Sequence, residues 1–477
     1  TSWIVHDTLF FEKNGKPAVA IVAKEFELNG HLSSQAFGMA DNRFVVIPDS
    51  PEGIPDDKIH EEIDEVVDEI IEYLTTQPPS VDGDVPTAEV GRAEVEHYQG
   101  EDQLDALDRF NKTFLDKSRG DGFSLTPPTP ERVAAMLEGT TLSPDEVVAV
   151  LQPGMGIATV EKIAISCVMA GCEPTHLPVI IAAVKAIDAM GFYARAWLMS
   201  TSINAPMLFV SGPIVEELGI HTGQCTLGPS KWSMTNMVLG RALQLVLKNV
   251  GYHRPREMDM DTIGTPLKWS LCTAENQERN PWQPFQTDYG FGKDSNVVGV
   301  TSVTNQIEVP DHLSKRPEPM LNEFVYSTLY SGLSVPVSNR EDADRPEDIE
   351  SAVAGAKLFP GGLFIMLAPE HAELLGRFGW SRQQAKDYIW ENQKMPARWV
   401  ANLTRWRPPH EIRDEWKWLL TASEEELDTV LIPSRTSPAE YHVAVVGGWG
   451  AKSIVYTTSQ LAMVEIKDRA LSGAVSR

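Results

Sequence analysis

The sequence predicts a multi-domain α/β protein. It expects a Rossmann- or flavodoxin-like half-sheet at the N-terminus, a larger central α/β or α+β domain, and a third α/β unit at the C-terminus. Three observations predict it. Short apolar runs rich in β-branched residues and bounded by glycine or charge recur at 17–23 (PAVAIVA), 44–47 (FVVI), 207–211 (MLFVS), 363–367 (LFIML) and 442–446 (HVAVV). Runs that are apolar on both faces are what parallel strands covered by helices require. Segments of helical period lie between them. The 477 residues exceed one core, since domains run to about 100–200 residues each.

The elements follow in order. Residues 1–75 form a first domain: a helix over 3–14, the strands 17–23 and 44–47, and an acidic helix. That helix carries Ile59, Ile63, Val66, Val67, Ile70, Ile71 and Leu74 on one stripe, with its acids on a solvated outer face. Residues 76–127 form a linker. Its turn-rich ends, QPPSVDGDVP and GDGFSLTPPTP, flank a short amphipathic helix. Residues 128–330 form the central domain. Thr129-Pro130 and Ser143-Pro144 each read as an N-cap with proline at a helix start. After the glycine turn of LQPGMG comes a helix from Thr159 to about Gly171, a turn at Glu173-Pro174, and a second helix from Thr175. The strand at 207–211 ends in Gly212-Pro213, and MVLGRALQLVLKNVG is a helix closed by Gly251. Residues 335–477 form the last unit. It has a helix at 348–357, the strand 363–367, a helix at 371–378 stopped by Gly379, and the strand 442–446 feeding a glycine-rich loop.

The bulk numbers narrow the function. A formal net charge of −26 repels phosphate backbones and anionic lipid, which argues against nucleic-acid and membrane partners. No apolar run approaches the roughly 20 residues of a membrane-spanning helix, and TSWIVHD is no signal peptide. The four cysteines, Cys167, Cys172, Cys225 and Cys272, sit in apolar or glycine-rich text. They read as reduced thiols of a cytoplasmic protein. The first residue is Thr1, so the expectation is a processed chain or a piece of a longer one.

Four constellations can carry chemistry. The loop Gly447-Gly448-Trp449-Gly450-Ala451-Lys452-Ser453 follows a strand. Its small residues let backbone N–H groups approach an anion, with Lys452 and Ser453 adding a charge and a hydroxyl. IVYTT after it looks like a strand, which argues against a true P-loop. The plain alternative is a tight β-turn. The second constellation is Glu161 with the central cysteines. Glu161 lies in a helix's first turn, where a carboxylate complements the dipole, and Cys167 lies on an apolar stripe. Cys172 stands at a helix end near His176, where a thiol can be reached and a histidine can favour thiolate. The cysteine spacing fits no zinc pattern. The third is WSLCTAENQERNPWQPF (269–285), which surrounds Glu275 and Asn276 with Trp269, Trp282 and Phe285. Aromatic walls with a few polar groups build small-molecule pockets, and a carboxyl enclosed there can act as a general acid or base. An anchored proline-rich loop is the alternative. The fourth is the stretch from His221 to Ser230, with Asn236 and Arg241 on the helix after it. It can serve as a ligand loop, with Arg241 capping carbonyls as the alternative.

TSWIVHDTLFFEKNGKPAVAIVAKEF resembles the segment that follows the motif of the UGSC family of selenoproteins and their cysteine homologues. There a selenocysteine or cysteine, then Gly-Ser-Cys, precedes a T-S-x-x-V-H-D helix. Thr1, Ser2, Val5, His6 and Asp7 match that pattern here. The central LQPGMGIATVEKIAISCVMAGCEPTHLPVIIAAVKA, with GPIVEELGI, LKNVG, CTAEN and VVGGWGAKS, resembles a large protein associated with that family. Together the likeness covers residues 1–50, 150–312 and 360–457. It implies redox-like chemistry in a pair that would lie before Thr1. Independently of the likeness, the two strands 17–23 and 44–47 are apolar on both faces and make a marginal sheet with hydrophobic edges, so a further strand is expected beside them, just upstream of Thr1. That element would come from a partner chain, a cleaved segment or further sequence. His6 and Ser2, at the start of the helix, would then face the ligand.

The expectation is an enzyme of a small polar or anionic molecule, a thiol- or selenol-dependent oxidoreductase or transferase, and an oligomer. Its candidate catalytic residues are Cys172, Glu161, Glu275 and His6. Ser2, Asn236, Arg241, Asn276, Gly447, Gly448, Gly450, Lys452 and Ser453 would hold the ligand. No metal is expected, and the sequence names no cofactor. The alternatives are a carboxylate-driven lyase or hydrolase using Glu161 or Glu275, and a non-catalytic ligand-binding subunit of a hetero-oligomer.

Overall fold

The computed structural model describes residues 2–39, 42–51, 54–76, 94–329, 361–407, 412, 414–435 and 437–470. The helix expected at 348–357 lies outside them. The fold is α/β, and the chain divides into two compact units. One holds 1–206, 237–271 and 466–477, and the other holds 207–236 and 272–465.

The first unit opens with helix α1 (Ser2–Lys13), strand β1 (Ala20–Ala23), helix α2 (Glu27–Ala36), strand β2 (Phe44–Ile47) and helix α3 (Asp56–Thr75). β1 and β2 pair in parallel, Ala20 opposite Phe44 and Ala23 opposite Ile47. This is the βαβ unit that two doubly apolar runs require. Neither strand pairs with a third among the described residues. Val5 and Leu9 of α1 pack on Met39 and Phe37. The stripe of α3 is only partly covered, since Val67, Ile71 and Leu74 remain exposed.

Helix α4 (Gln103–Asp116) is capped by Asp102, and helix α5 (Pro130–Leu137) by Thr129. The helix start expected at Ser143-Pro144 is not there. The Ser143 hydroxyl turns to the Asp145 carboxylate rather than to a backbone N–H, and strand β3 (Val147–Leu151) begins three residues after Pro144. Its β-branched residues pair antiparallel with strand β4 (Gly156–Thr159). Gly156 is required at the start of β4, because a Cβ there would lie 1.8 Å from the Val250 carbonyl oxygen. Helix α6 (Val160–Ala170) is capped by Thr159 and closed by Gly171 in the left-handed region, φ 89°. A 3-10 turn (Pro174–His176) leads into helix α7 (Leu177–Met190), which is buried along most of its length. Helix α8 (Phe192–Leu198) follows.

The second unit is built on one mixed sheet. Strands β5 (Ala205–Ser211), β6 (Cys272–Ala274), β7 (Val297–Pro310), β8 (Gly362–Leu367), β11 (Tyr441–Val445) and β12 (Lys452–Thr458) lie in the order β11-β8-β12-β7-β5-β6, and β13 (Ala462–Glu465) pairs with β7. Strands β9 (Lys394–Pro396) and β10 (Leu431–Pro433) form a separate antiparallel pair. The sheet takes strands from the expected central and C-terminal blocks alike. It curls until its edges meet: the Asn276 N–H, just after β6, donates to the Val445 carbonyl at the end of β11, 2.7 Å. Inside the curl Phe209 of β5 packs at a tilt against Phe364 of β8 at 5.0 Å, with Phe285 at 4.9 and 5.6 Å from the two rings. A second apolar layer joins Met320, Leu321, Phe324, Leu374 and Ile389 to the strands. Among the described residues no helix is long and apolar enough to cross a membrane.

Candidate functional site

After the short helix α9 (Ile214–Glu217) comes the long helix α10 (Met234–Asn249), and in the first unit the end of α6 meets the 237–249 part of α10. The Cys172 thiol, partly buried, lies 3.5 Å from the Val238 carbonyl oxygen, to which only its protonated form donates. Burial opposes its ionisation. A hydrogen bond with the Cys167 thiol, the imidazole of His176 and the charge of Arg241 outweigh that burial and bring the thiol down to about 6. Cys167 is fully buried, and burial together with its neighbour Cys172 holds it well above the ordinary thiol range. The ionised form of the pair therefore sits on Cys172. His176 Nδ1 accepts the Glu173 N–H at 3.0 Å, so the proton of the neutral ring sits on Nε2. Nε2 is buried and has no hydrogen-bond partner among the described residues.

Arg241 grips Asp121 with two bonds, Nε–Oδ2 2.6 Å and Nη2–Oδ1 2.9 Å, and donates to the carbonyls of Phe123 and Ser124. Its Nε and Nη2 donors are spent on this chain, and it acts on Cys172 as a charge. Trp269 Nε1 donates to the Asp121 carbonyl at 3.3 Å, and its ring meets Phe123.

From Asp121 and Trp269 a cleft of about 810 Å3 opens, lined also by Gln244, Lys248, His253, Asp259, Asp261 and Lys268. Val238, Arg241, Leu245 and Lys248 recur at helical period and share one side of α10. That side runs from the thiol to the cleft over about 10 Å. In the cleft wall Lys268 holds Asp259 at 2.7 Å and Asp261 at 2.6 Å. Burial raises Asp261 to about 6, while Asp259, beside His253 and Lys268, stays low despite burial. Burial also pushes His253 down to about 4. Sequence reasoning missed this wall. Its carboxylates and lysines are spread over residues 244–268, and their convergence depends on a loop path that no periodicity encodes.

Residues 1–76 match the model of the UGSC family. The match does not reach the likeness expected at 150–312 and 360–457. No curated protein and no solved structure matches the chain. The UGSC region contributes Glu25 and Leu28 to the cleft lining, and its Asn29 donates to the Glu257 carbonyl at 2.8 Å beside that cleft. Its His6 lies on the surface of α1, with Nδ1 3.3 Å from Asp7 and the ring edge-on to Phe37. His6 is not among the cleft residues, and the Ser2 side chain lies outside what is described. Glu161, in the first turn of α6, is half-buried and also away from the cleft.

The second unit gathers several of the remaining candidates by itself. Glu275 follows β6 and is 1 % exposed. Its carboxylate accepts from the Phe285 N–H at 2.6 Å, Asn280 at 3.0 Å, Arg382 at 3.1 Å and Gln277. Burial raises it to about 7 against the pull of Arg382. Arg382 in turn lies over the rings of Trp282 and Phe285. The aromatics around Glu275 thus close over an ion pair, and Trp269 belongs to the other unit. The Asn276 amide donates to the Gly447 carbonyl at 3.0 Å, and the Gly447 N–H donates to the Thr222 carbonyl at 2.8 Å. A Cβ on Gly448 would meet Gln224 at 2.4 Å, so that glycine serves a contact within the chain. The Gly450 N–H donates to Glu370 at 2.8 Å. Asn236 is spent on His221, Thr226 and the Cys272 carbonyl. Lys452 pairs with Glu308 at the surface. Ser453 is buried between the His371 ring, 2.8 Å, and the Ala368 N–H, 2.8 Å. Among the described residues no group of three or more His, Cys, Asp or Glu is placed to hold a metal ion.

Proposed function

We propose that the chain is a cytoplasmic enzyme of small polar or anionic molecules that works through a thiol, as an oxidoreductase or transferase, with Cys172 as the reacting group. One arrangement carries this reading: the partly buried Cys172 thiol stands beside Cys167, His176 and Arg241, whose hydrogen bonds and charge favour its anion and bring it down to about 6 despite burial. A thiolate is the nucleophilic form of cysteine, and sites that lower the pKa this way are those of reactive cysteines. Cys167, bonded to it and protonated, suits the part of a second thiol. The cleft further along α10 supports a place for the rest of a substrate. The carboxylate-driven alternative is weaker, because Glu275 is already saturated by donors of its own chain. Brief labelling with limiting iodoacetamide near neutral pH, mapped by mass spectrometry, tests the reading. Cys172 should be modified first. Modification of exposed Cys225 ahead of Cys172 would overturn it.

A further inference from the structure

The end of α6 brings two cysteines together by its backbone alone. Gly171 holds a φ of 89°. Its N–H donates to the Val168 carbonyl at 3.0 Å, and the Cys172 N–H donates to the Cys167 carbonyl at 2.9 Å. These two bonds make the Schellman closure of a helix. In that closure the residue giving the outer carbonyl and the residue giving the outer N–H bring their side chains into contact. Here both residues are cysteines, both are free thiols, and the thiols hydrogen-bond to each other. Cys167 is sealed in the core. Cys172 is only partly buried, and Gly171 beside it is exposed. A Cβ on Gly171 would meet a single side-chain atom among the described residues, Val238 Cγ1 at 3.7 Å, so the outer side of the closure is open. One thiol within reach and a second sealed against it is the layout of an attacking and a resolving pair.

We propose that Cys167 is the resolving thiol for Cys172, and that the substrate is a small uncharged disulfide, which the pair reduces as it closes a disulfide of its own. The inference rests on the thiol reading of Cys172 and supplies the second half of its cycle. In the first step the Cys172 thiolate attacks one sulfur of the substrate. A mixed disulfide forms, the substrate's S–S bond breaks, and one thiolate leaves. In the second step the Cys167 sulfur attacks the Cys172 sulfur. The Cys167–Cys172 bond forms, the mixed disulfide breaks, and the second thiolate leaves with the Cys167 proton. Two electrons pass from the sulfurs of the protein to the substrate, and no other oxidant is consumed. A hydroperoxide would instead expel hydroxide or alkoxide, far stronger bases that need a proton, and both nearby donors, Cys167 and His176, are buried. The net charge of −26 disfavours an anionic disulfide.

Anaerobic treatment of the full chain with 2-hydroxyethyl disulfide tests the inference. The reaction is quenched in acid, the chain is unfolded and alkylated, and its peptides are mapped by mass spectrometry. One tryptic peptide, 163–185, carries both cysteines. In the wild type it should lose two hydrogens, take no alkyl group and keep no adduct. Cys167→Ala should stop at the mixed disulfide on Cys172. That adduct should outlive the wild-type one by about a hundredfold or more, because a neighbouring thiol acts at a far higher effective concentration than a free one. A wild-type peptide that keeps the adduct on Cys172 and is alkylated at Cys167 would overturn the proposal and leave the thiol reading standing. So would a Cys172 that reacts with iodoacetamide and not with the disulfide. A Cys172 inert to both reagents would overturn the two together.

Discussion

Burial acts on two acids of this chain with opposite results. Cys172 is surrounded by groups that favour its anion, and they outweigh desolvation. Glu275 is surrounded by donors too, yet its deeper burial prevails and raises it to about 7. A carboxyl raised from 4.5 binds its proton more tightly folded than unfolded. Its contribution to stability is full below pH 4.5 and is lost as the pH rises through about 7, at about 1.4 kcal/mol per pH unit in that window. Denaturant unfolding of wild type and Glu275→Gln across the window should show the wild type losing stability relative to the variant as pH rises. Parallel curves would contradict this. Removing the cation instead, with Arg382→Met, leaves the carboxylate buried without its partner. That should destabilise by about 3–5 kcal/mol, measured by the same unfolding.

Elements whose signals are local were legible in the sequence. Phe44–Ile47 is a strand as read, Thr129 and Thr159 cap helices, and Gly171 ends one. Ser143-Pro144 carried the same cap signal and failed, because Val147–Leu151 finds a strand partner that a propensity argument does not see. The candidate residues divide in the same way. The place of Cys172 at a helix end with His176 near it was legible. The ties that spend Asn236, Ser453 and Gly448 within the chain were not, since each comes from a distant segment such as Cys272, His371 or Gln224. One such distant contact lies against the turn that carries His176. A Cβ on Gly139, after α5, would lie 1.9 Å from the Pro174 carbonyl oxygen. Gly139→Ala should displace the turn that carries His176 and slow alkylation of Cys172 several-fold, while helix content by circular dichroism holds. An unchanged alkylation rate would show that this turn does not set the thiol.

Over the whole molecule, neither compact unit is a continuous stretch of chain, since the path changes unit at 206–207, 236–237, 271–272 and 465–466. The expected boundaries of 128–330 and 335–477 follow composition, and composition does not record which strands pair. The sheet joins β5, β6 and β7 to β8, β11 and β12 across that line. A fragment of residues 128–330 should therefore fail to fold, because β7 would lose both β12 and β13 and expose their apolar edges. A dispersed amide spectrum from that fragment would contradict this.

Alkylation of the intact protein by iodoacetamide, from about pH 5 to about pH 9 and followed peptide by peptide, asks most directly whether Cys172 is a built reactive thiol. Its rate should rise with a midpoint near 6, and His176→Gln should move that midpoint up toward the ordinary value of about 8.5. A wild-type midpoint already at the ordinary thiol value, unmoved by His176→Gln, would contradict the thiol site.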